Sequence, residues 1–255
     1  MKKKYIVIST ICVLAAAICT AIGIYQYLQQ QRAGEEYQEI REEVKNDEPE
    51  EEPEPEPEKE PVVIPIDFAS LQARNPDVYA WITVPGTNID YPILQSDGDN
   101  GYYLDHTLDG ESSPEGSIFT EKYNSKDFED PNTVIYGHNM KNGSMFQNLH
   151  NYQDREFFDN NRDVTIYTPD AIRHYKIFAA YFYDNRHILS SFDFSDPWVY
   201  KQYLDQIFSI RDMNSCIDTD TKVGVEDKII TMSTCYGTQH DVRYLVQAVL
   251  VSIEK

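Results

Sequence analysis

The sequence predicts a mostly β domain with enough strands to close a barrel, preceded by an apolar N-terminal segment and an acidic spacer. Three observations predict it. From Val62 onward, short apolar runs are each bounded by Pro, Gly, Asn or Asp, and about eight such runs suffice for closure. The composition, 41% hydrophobic and 25% charged over 255 residues, allows a packed core in one or two domains. The 19 tyrosines fall mainly in this same stretch, as expected of half-buried strands.

The elements follow in order. Asp67 is placed to cap a helix running through Arg74, which must end near Asn75 because Pro76 disfavours a helical residue before it. Strands are expected at Ala80–Val84, Asp90–Leu94, Gly116–Thr120, Thr133–Tyr136, Asp163–Thr168, Arg173–Tyr183, Lys228–Thr234 and Arg243–Ile253. A helical stretch at Ser144–Leu149 opens with a Ser cap. A second, at Asp196–Ile210, has Asp196 as cap, Pro197 in the first turn, and Trp198, Tyr203, Leu204, Ile207 and Phe208 near an amphipathic period. These aromatics read as core packing.

Ahead of the domain, Lys2–Lys4 precede Tyr5–Leu28, which carries no charge. That run is long enough to span a bilayer, and the basic flank places residues 1–4 in the cytoplasm. The expectation is a single-pass cell-membrane protein: a cytoplasmic tail at 1–4, a transmembrane helix at 5–28, and everything after it outside the cell. A cleaved signal peptide is the alternative, and it also exports the chain. Residues 29–61 are rich in Glu and Pro, which build neither helix nor ladder, so they read as an extended stalk or, alternatively, an acidic partner-binding segment. Residues 62–255 form the expected folded domain. The formal charge of −21 argues against nucleic acid, because phosphates require cationic surface. Four cysteines are too few for a disulfide scaffold.

The chemistry-bearing candidates lie at expected strand ends. Cys235 closes the apolar segment KIITMSTC and is followed by turn-like Tyr236–Thr238, so a sheet holds it rigidly beside a loop, as a nucleophile requires. Residues alone leave three readings open: a reactive thiol, a disulfide with Cys216, or an inert buried thiol. Among six histidines, His138 follows an apolar strand and a Gly and is also presented from a strand end. His240 sits in a polar turn, His174 and His187 flank a strand as surface residues, and His106 and His150 lie in polar loops. Arg243 opens the last strand. If that strand pairs antiparallel with the one ending at Cys235, its guanidinium returns beside the thiol and could steady an oxyanion. Otherwise it is a surface Arg paired with Asp241 or Glu226.

TMSTC ending in Cys235, His138 within YGHNM, and Arg243 on the following strand resemble the sortase signature, a Thr-Leu-x-Thr-Cys motif with His and Arg partners. The stretches GSIF and VIYGHNMKNGSMF, with the helix near Asp196–Ile210, are similar to class B sortases in particular. Met232 stands where Leu is usual, a nearly volume-conserving difference. The resemblance implies a closed eight-stranded sortase-type β-barrel with an N-terminal helix and an additional helix before the Cys-bearing strand. It implies a cysteine transpeptidase that cleaves a C-terminal sorting signal after Thr. Cys235 would form a thioacyl-enzyme, His138 would move the proton, and Arg243 with a backbone N–H near Tyr236 would stabilise the oxyanion. Ser233, Thr234 and Tyr236 would contact substrate. The implied partners are secreted proteins with a Pro-x-Thr-type signal and a cell-wall precursor or peptidoglycan amine, with no cofactor and no metal. A pilin-polymerising enzyme using a Lys amine, a Cys protease passing its acyl group to water, and a tethered adhesin with a structural Cys235 are the alternatives.

Overall fold

The computed structural model describes residues 62–237 and 239–255, together with residues 20, 22, 24, 25, 28 and 40–42. The first helix, α1 (Phe68–Arg74), begins where expected: the Asp67 carboxylate accepts from the Ser70 N–H at 3.0 Å. It ends at Asn75, and it buries Phe68 and Leu71 against the barrel.

Nine strands follow: β1 (Val78–Thr83), β2 (Asp90–Leu94), β3 (Ile118–Thr120), β4 (Asn132–Tyr136), β5 (Asp163–Thr168), β6 (Ala171–Asp184), β7 (Cys216–Ile217), β8 (Ile229–Tyr236) and β9 (Gln239–Glu254). Their order is β5-β1-β2-β3-β4-β8-β9-β6, and β6 pairs back onto β5, so eight strands close. The two-residue β7 is added on β6 beside Ala179 and Ala180 and is too short for any period to reveal it. Apart from the parallel pairs β2–β3 and β4–β8, neighbours are antiparallel. The fold is thus the expected mostly β, closed eight-stranded barrel.

Two apolar layers hold it. Trp81, Ile93, Ile135, Met232, Tyr244 and Val246 belong to the barrel's main buried cluster. Met232 is fully buried there, consistent with its replacing Leu at similar volume. The outer faces of β6, β8 and β9 contribute Phe178, Tyr181, Ile229, Leu245 and Val249 to a second cluster beneath a long helix. Two short helices precede that one, α2 (Arg155–Asn160) and α3 (Ile188–Ser191), neither of them anticipated. The long helix, α4 (Pro197–Ser209), has Asp196 accepting from the Trp198 N–H at 2.8 Å and Pro197 in the first turn, as expected. Its buried residues are Tyr200, Tyr203, Leu204 and Ile207, whereas Trp198, in the first turn, is 66% exposed, against the expectation that it packs in the core. A polar chain links these strands to α4: Gln247 Nε2 donates to Thr231 Oγ1 and to Tyr203 OH, each at 2.7 Å, and Thr231 Oγ1 donates to Asn132 Oδ1 at 2.8 Å. Buried throughout, it ties β4, β8 and β9 together through side chains, although Asn132 Nδ2 has no partner of its own among the described residues.

Two expectations are corrected. No α-helix opens at Ser144: its hydroxyl bonds Asn142 Oδ1 instead, and a 3₁₀ segment at Gln147–Gln153 follows without a side-chain cap. The single-pass membrane placement also fails. Crossing a bilayer takes an unbroken apolar helix of about 20 residues, and among the described residues no helix is long and apolar enough. The tail at 1–4 and most of 5–28 lie outside the described residues. So does the stalk at 29–61, apart from residues 40–42, which are helical. There Ile40 is fully buried in the barrel's cluster, and the Arg41 guanidinium donates to the Asp90 carbonyl at 2.6 Å while stacking over Tyr91.

Candidate active site

Strand direction builds the site. Because β4 and β8 run parallel in the register Tyr136↔Ser233, both reach their C-terminal ends at one rim. Because β9 returns antiparallel, its start lies at that same rim, with Arg243 directly opposite Cys235. Cys235, the residue just past β4 (Gly137, then His138) and Arg243 therefore meet although long chain segments separate them. All three line one cavity of about 220 Å³, whose wall also includes Ser233, Thr234 and Tyr136.

Cys235 is a free, partly exposed thiol. Cys216 is also free and is buried on β7, where burial pushes its thiol pKa up, so the disulfide reading does not hold. His138 is fixed from both sides. Its carbonyl accepts from the Phe146 N–H at 2.9 Å, and its Nε2 lies 2.7 Å from the Leu104 carbonyl, to which it donates. Leu104 can approach only because Gly116 sits beneath it at φ +55°: a Cβ there would stand 2.3 Å from the Tyr103 carbonyl oxygen and 2.6 Å from that of Leu104. Arg243 lines the cavity together with Tyr136. Burial and the Glu121 carboxylate push that phenol's pKa up, and the guanidinium charge pulls it partly back.

Ser233 and Thr234 are buried behind the cavity, and Thr234 Oγ1 has no hydrogen-bond partner among the described residues. The Tyr236 ring does not line the cavity. It packs edge-on against Phe182, with centroids 4.7 Å apart.

Sequence reasoning missed two groups. His187, read as a surface residue, lines the cavity with its tautomer defined: Nδ1 accepts from the Ser190 N–H at 3.1 Å and Nε2–H donates to Glu121 at 2.5 Å. His150, assigned to a polar loop, is part-buried with Nε2 3.1 Å from the Cys235 carbonyl. His187 stands three residues past β6 and His150 within the 3₁₀ segment, and no local pattern distinguishes either from a solvated histidine.

Comparison with known proteins agrees with this geometry. The family model described as "Sortase domain" matches residues 82–251. The chain is 37% identical over 195 residues to sortase B of Listeria monocytogenes, covering 73% of this chain and 74% of that one. The solved sortase B of Bacillus anthracis superposes with a TM-score of 0.71 at 32% identity, covering 90% of this chain and 99% of that one. A Staphylococcus aureus sortase B–substrate complex aligns with a TM-score of 0.64 at 29% identity, covering 72% and 84%. A closed barrel with a thiol, an imidazole and a guanidinium at one rim, in a chain with these relatives, belongs to the sortase family, class B, and is a cysteine transpeptidase.

Proposed function

We propose that residues 62–255 form the catalytic unit, and that it cleaves a C-terminal sorting signal of Pro-x-Thr type after Thr and transfers the acyl group to a cell-wall amine. The observation that carries this reading is the convergence of Cys235, His138 and Arg243 on one cavity through the parallel β4–β8 and antiparallel β8–β9 pairings. Cys235 Sγ passes its proton to His138 and attacks the Thr carbonyl carbon, forming a C–S bond. The scissile C–N bond then breaks as His138 passes a proton to the departing amine. An acceptor amine next attacks the thioester, His138 takes its proton, and the C–S bond breaks to return the thiol. Arg243 and the Tyr236 N–H face the oxyanion formed in each half. Thr234 Oγ1, buried and unpartnered, suits a hydrogen bond from bound peptide.

The test is intact-mass spectrometry of the protein mixed with a library of Pro-x-Thr peptides, followed by mapping of the adduct. An acyl mass on Cys235 is expected, discharged by a cell-wall-type amine into an amide product. Discharge only by a protein Lys amine would assign a polymerising role, discharge only by water a hydrolytic one, and the absence of any adduct on Cys235 would refute the reading.

Gly137→Ala tests how His138 is aimed. A Cβ at Gly137 would stand 2.5 Å from Ile118 Cδ1 and 2.7 Å from the Phe146 ring, both side chains fully buried. The end of β4 must move, and His138 moves with it. The expected cost is about 1–3 kcal/mol in a denaturant melt. The expected loss of acyl transfer is at least about tenfold, since small misplacements of catalytic groups cost that much or more.

A further inference from the structure

We propose that His150 is a positioning residue for this reaction: held by Gln153, it fixes the Cys235–Tyr236 peptide plane so that the Tyr236 N–H is aimed at the acyl oxygen. The inference rests on Cys235 being the acylated residue.

Three observations carry it. First, the β8–β9 ladder breaks register at this one peptide. Cys235 pairs with Arg243, but Tyr236 pairs with Gln239. At such an irregularity the ladder constrains the intervening peptide less than elsewhere along the strand, which leaves its plane open to side-chain contacts.

Second, the Cys235 carbonyl receives two side-chain bonds, from Asn139 Nδ2 and from His150 Nε2, each at 3.1 Å. Neither residue lines the cavity, so the carbonyl faces away from it. In a planar trans peptide the N–H points opposite to the C=O, which turns the Tyr236 N–H toward the cavity side. Donors on the carbonyl also polarise the amide and make its N–H a better donor.

Third, the imidazole is held in the one neutral tautomer that can do this. A carbonyl only accepts, so Nε2 carries the hydrogen. Nδ1 then accepts, and Gln153 Nε2 stands 3.3 Å from it as the donor. Burial lowers the ring's pKa, favouring the neutral form. The ring packs against Tyr236 and Tyr244, with centroids 5.6 and 5.2 Å away.

The experiment measures single-turnover acylation by a Pro-x-Thr peptide, KM, iodoacetamide alkylation mapped to Cys235, and the thermal midpoint. His150→Phe keeps a ring against the tyrosines but has no donor. It is expected to slow acylation about tenfold or more, with KM and alkylation each within about twofold of the parent. His150→Gln returns an N–H donor at similar reach and is expected to recover most of the rate. Gln153→Leu leaves the imidazole but frees its tautomer, and is expected to slow acylation about threefold. It decides the matter if His150→Phe does not fold.

Acylation at parental rate in His150→Phe, or in Gln153→Leu, overturns the proposal. So does equal impairment of the Phe and Gln variants, or a loss matched by slower alkylation. A parent enzyme that no peptide acylates overturns the reading of Cys235 itself, a result distinct from a parent that acylates alongside a His150→Phe variant that keeps pace.

Discussion

Cys235→Ala should abolish acyl transfer while leaving the barrel standing. A thioester requires a sulfur, and among the described residues lining the cavity Cys235 alone carries one. Without it, transfer of a Pro-x-Thr peptide to an amine is expected to fall by at least about 10³-fold, and the acyl mass should vanish from the spectrum. Stability should change by about 1 kcal/mol or less, because Cys235 is partly exposed and ends a strand whose buried anchors, Ile230 and Met232, are untouched. Cys216 cannot substitute: it is 4% exposed and lies on β7. The thermal midpoint and the turnover rate, measured on the same preparation, separate a chemical loss from an unfolded protein. Undiminished turnover would instead favour a structural Cys235.

Arg243→Gln is expected to lower kcat/KM by about 10²–10³-fold, the usual cost of losing an oxyanion donor. The argument is positional. Arg243 faces Cys235 across the β8–β9 pair, lines the same cavity, and its charge reaches Tyr136 on β4, so a permanent cation spans the rim where the acyl oxygen forms. Gln keeps some hydrogen-bonding capacity but no charge. Arg243→Lys keeps the charge without the planar fork and should stay at least about tenfold below the parent. Steady-state kinetics on both variants decides this: a Gln variant within about threefold of the parent would remove Arg243 from the mechanism.

Particular residues show what could be read in advance. The β2 and β5 boundaries, Asp90–Leu94 and Asp163–Thr168, follow from apolar runs bounded by turn residues, and the observed strands coincide with them. Asp67 and Asp196 announce their helices because capping is a local interaction, satisfied within three residues. Ser144 misled because its hydroxyl found a nearer partner in Asn142, a competition that only the loop's path decides. The two-residue β7 and the four-residue α3 carry too few positions to show a period. Trp198 fitted an amphipathic stripe but is exposed in the helix's first turn, which periodicity alone does not reveal.

By itself, then, the sequence determined the alternation of strands, the caps of two helices, and three reactive side chains each set at the end of an element, because these depend on a few neighbouring residues. Only the tertiary structure decided that those ends share a rim. That outcome comes from β4 lying parallel to β8 and β9 returning antiparallel, pairings between segments up to about a hundred residues apart that no local pattern encodes. It also decided that His150 and His187, indistinguishable from surface histidines along the chain, stand at the nucleophile's carbonyl and in the cavity wall. A side chain's burial and hydrogen-bond partners belong to the packed barrel rather than to its sequence neighbours.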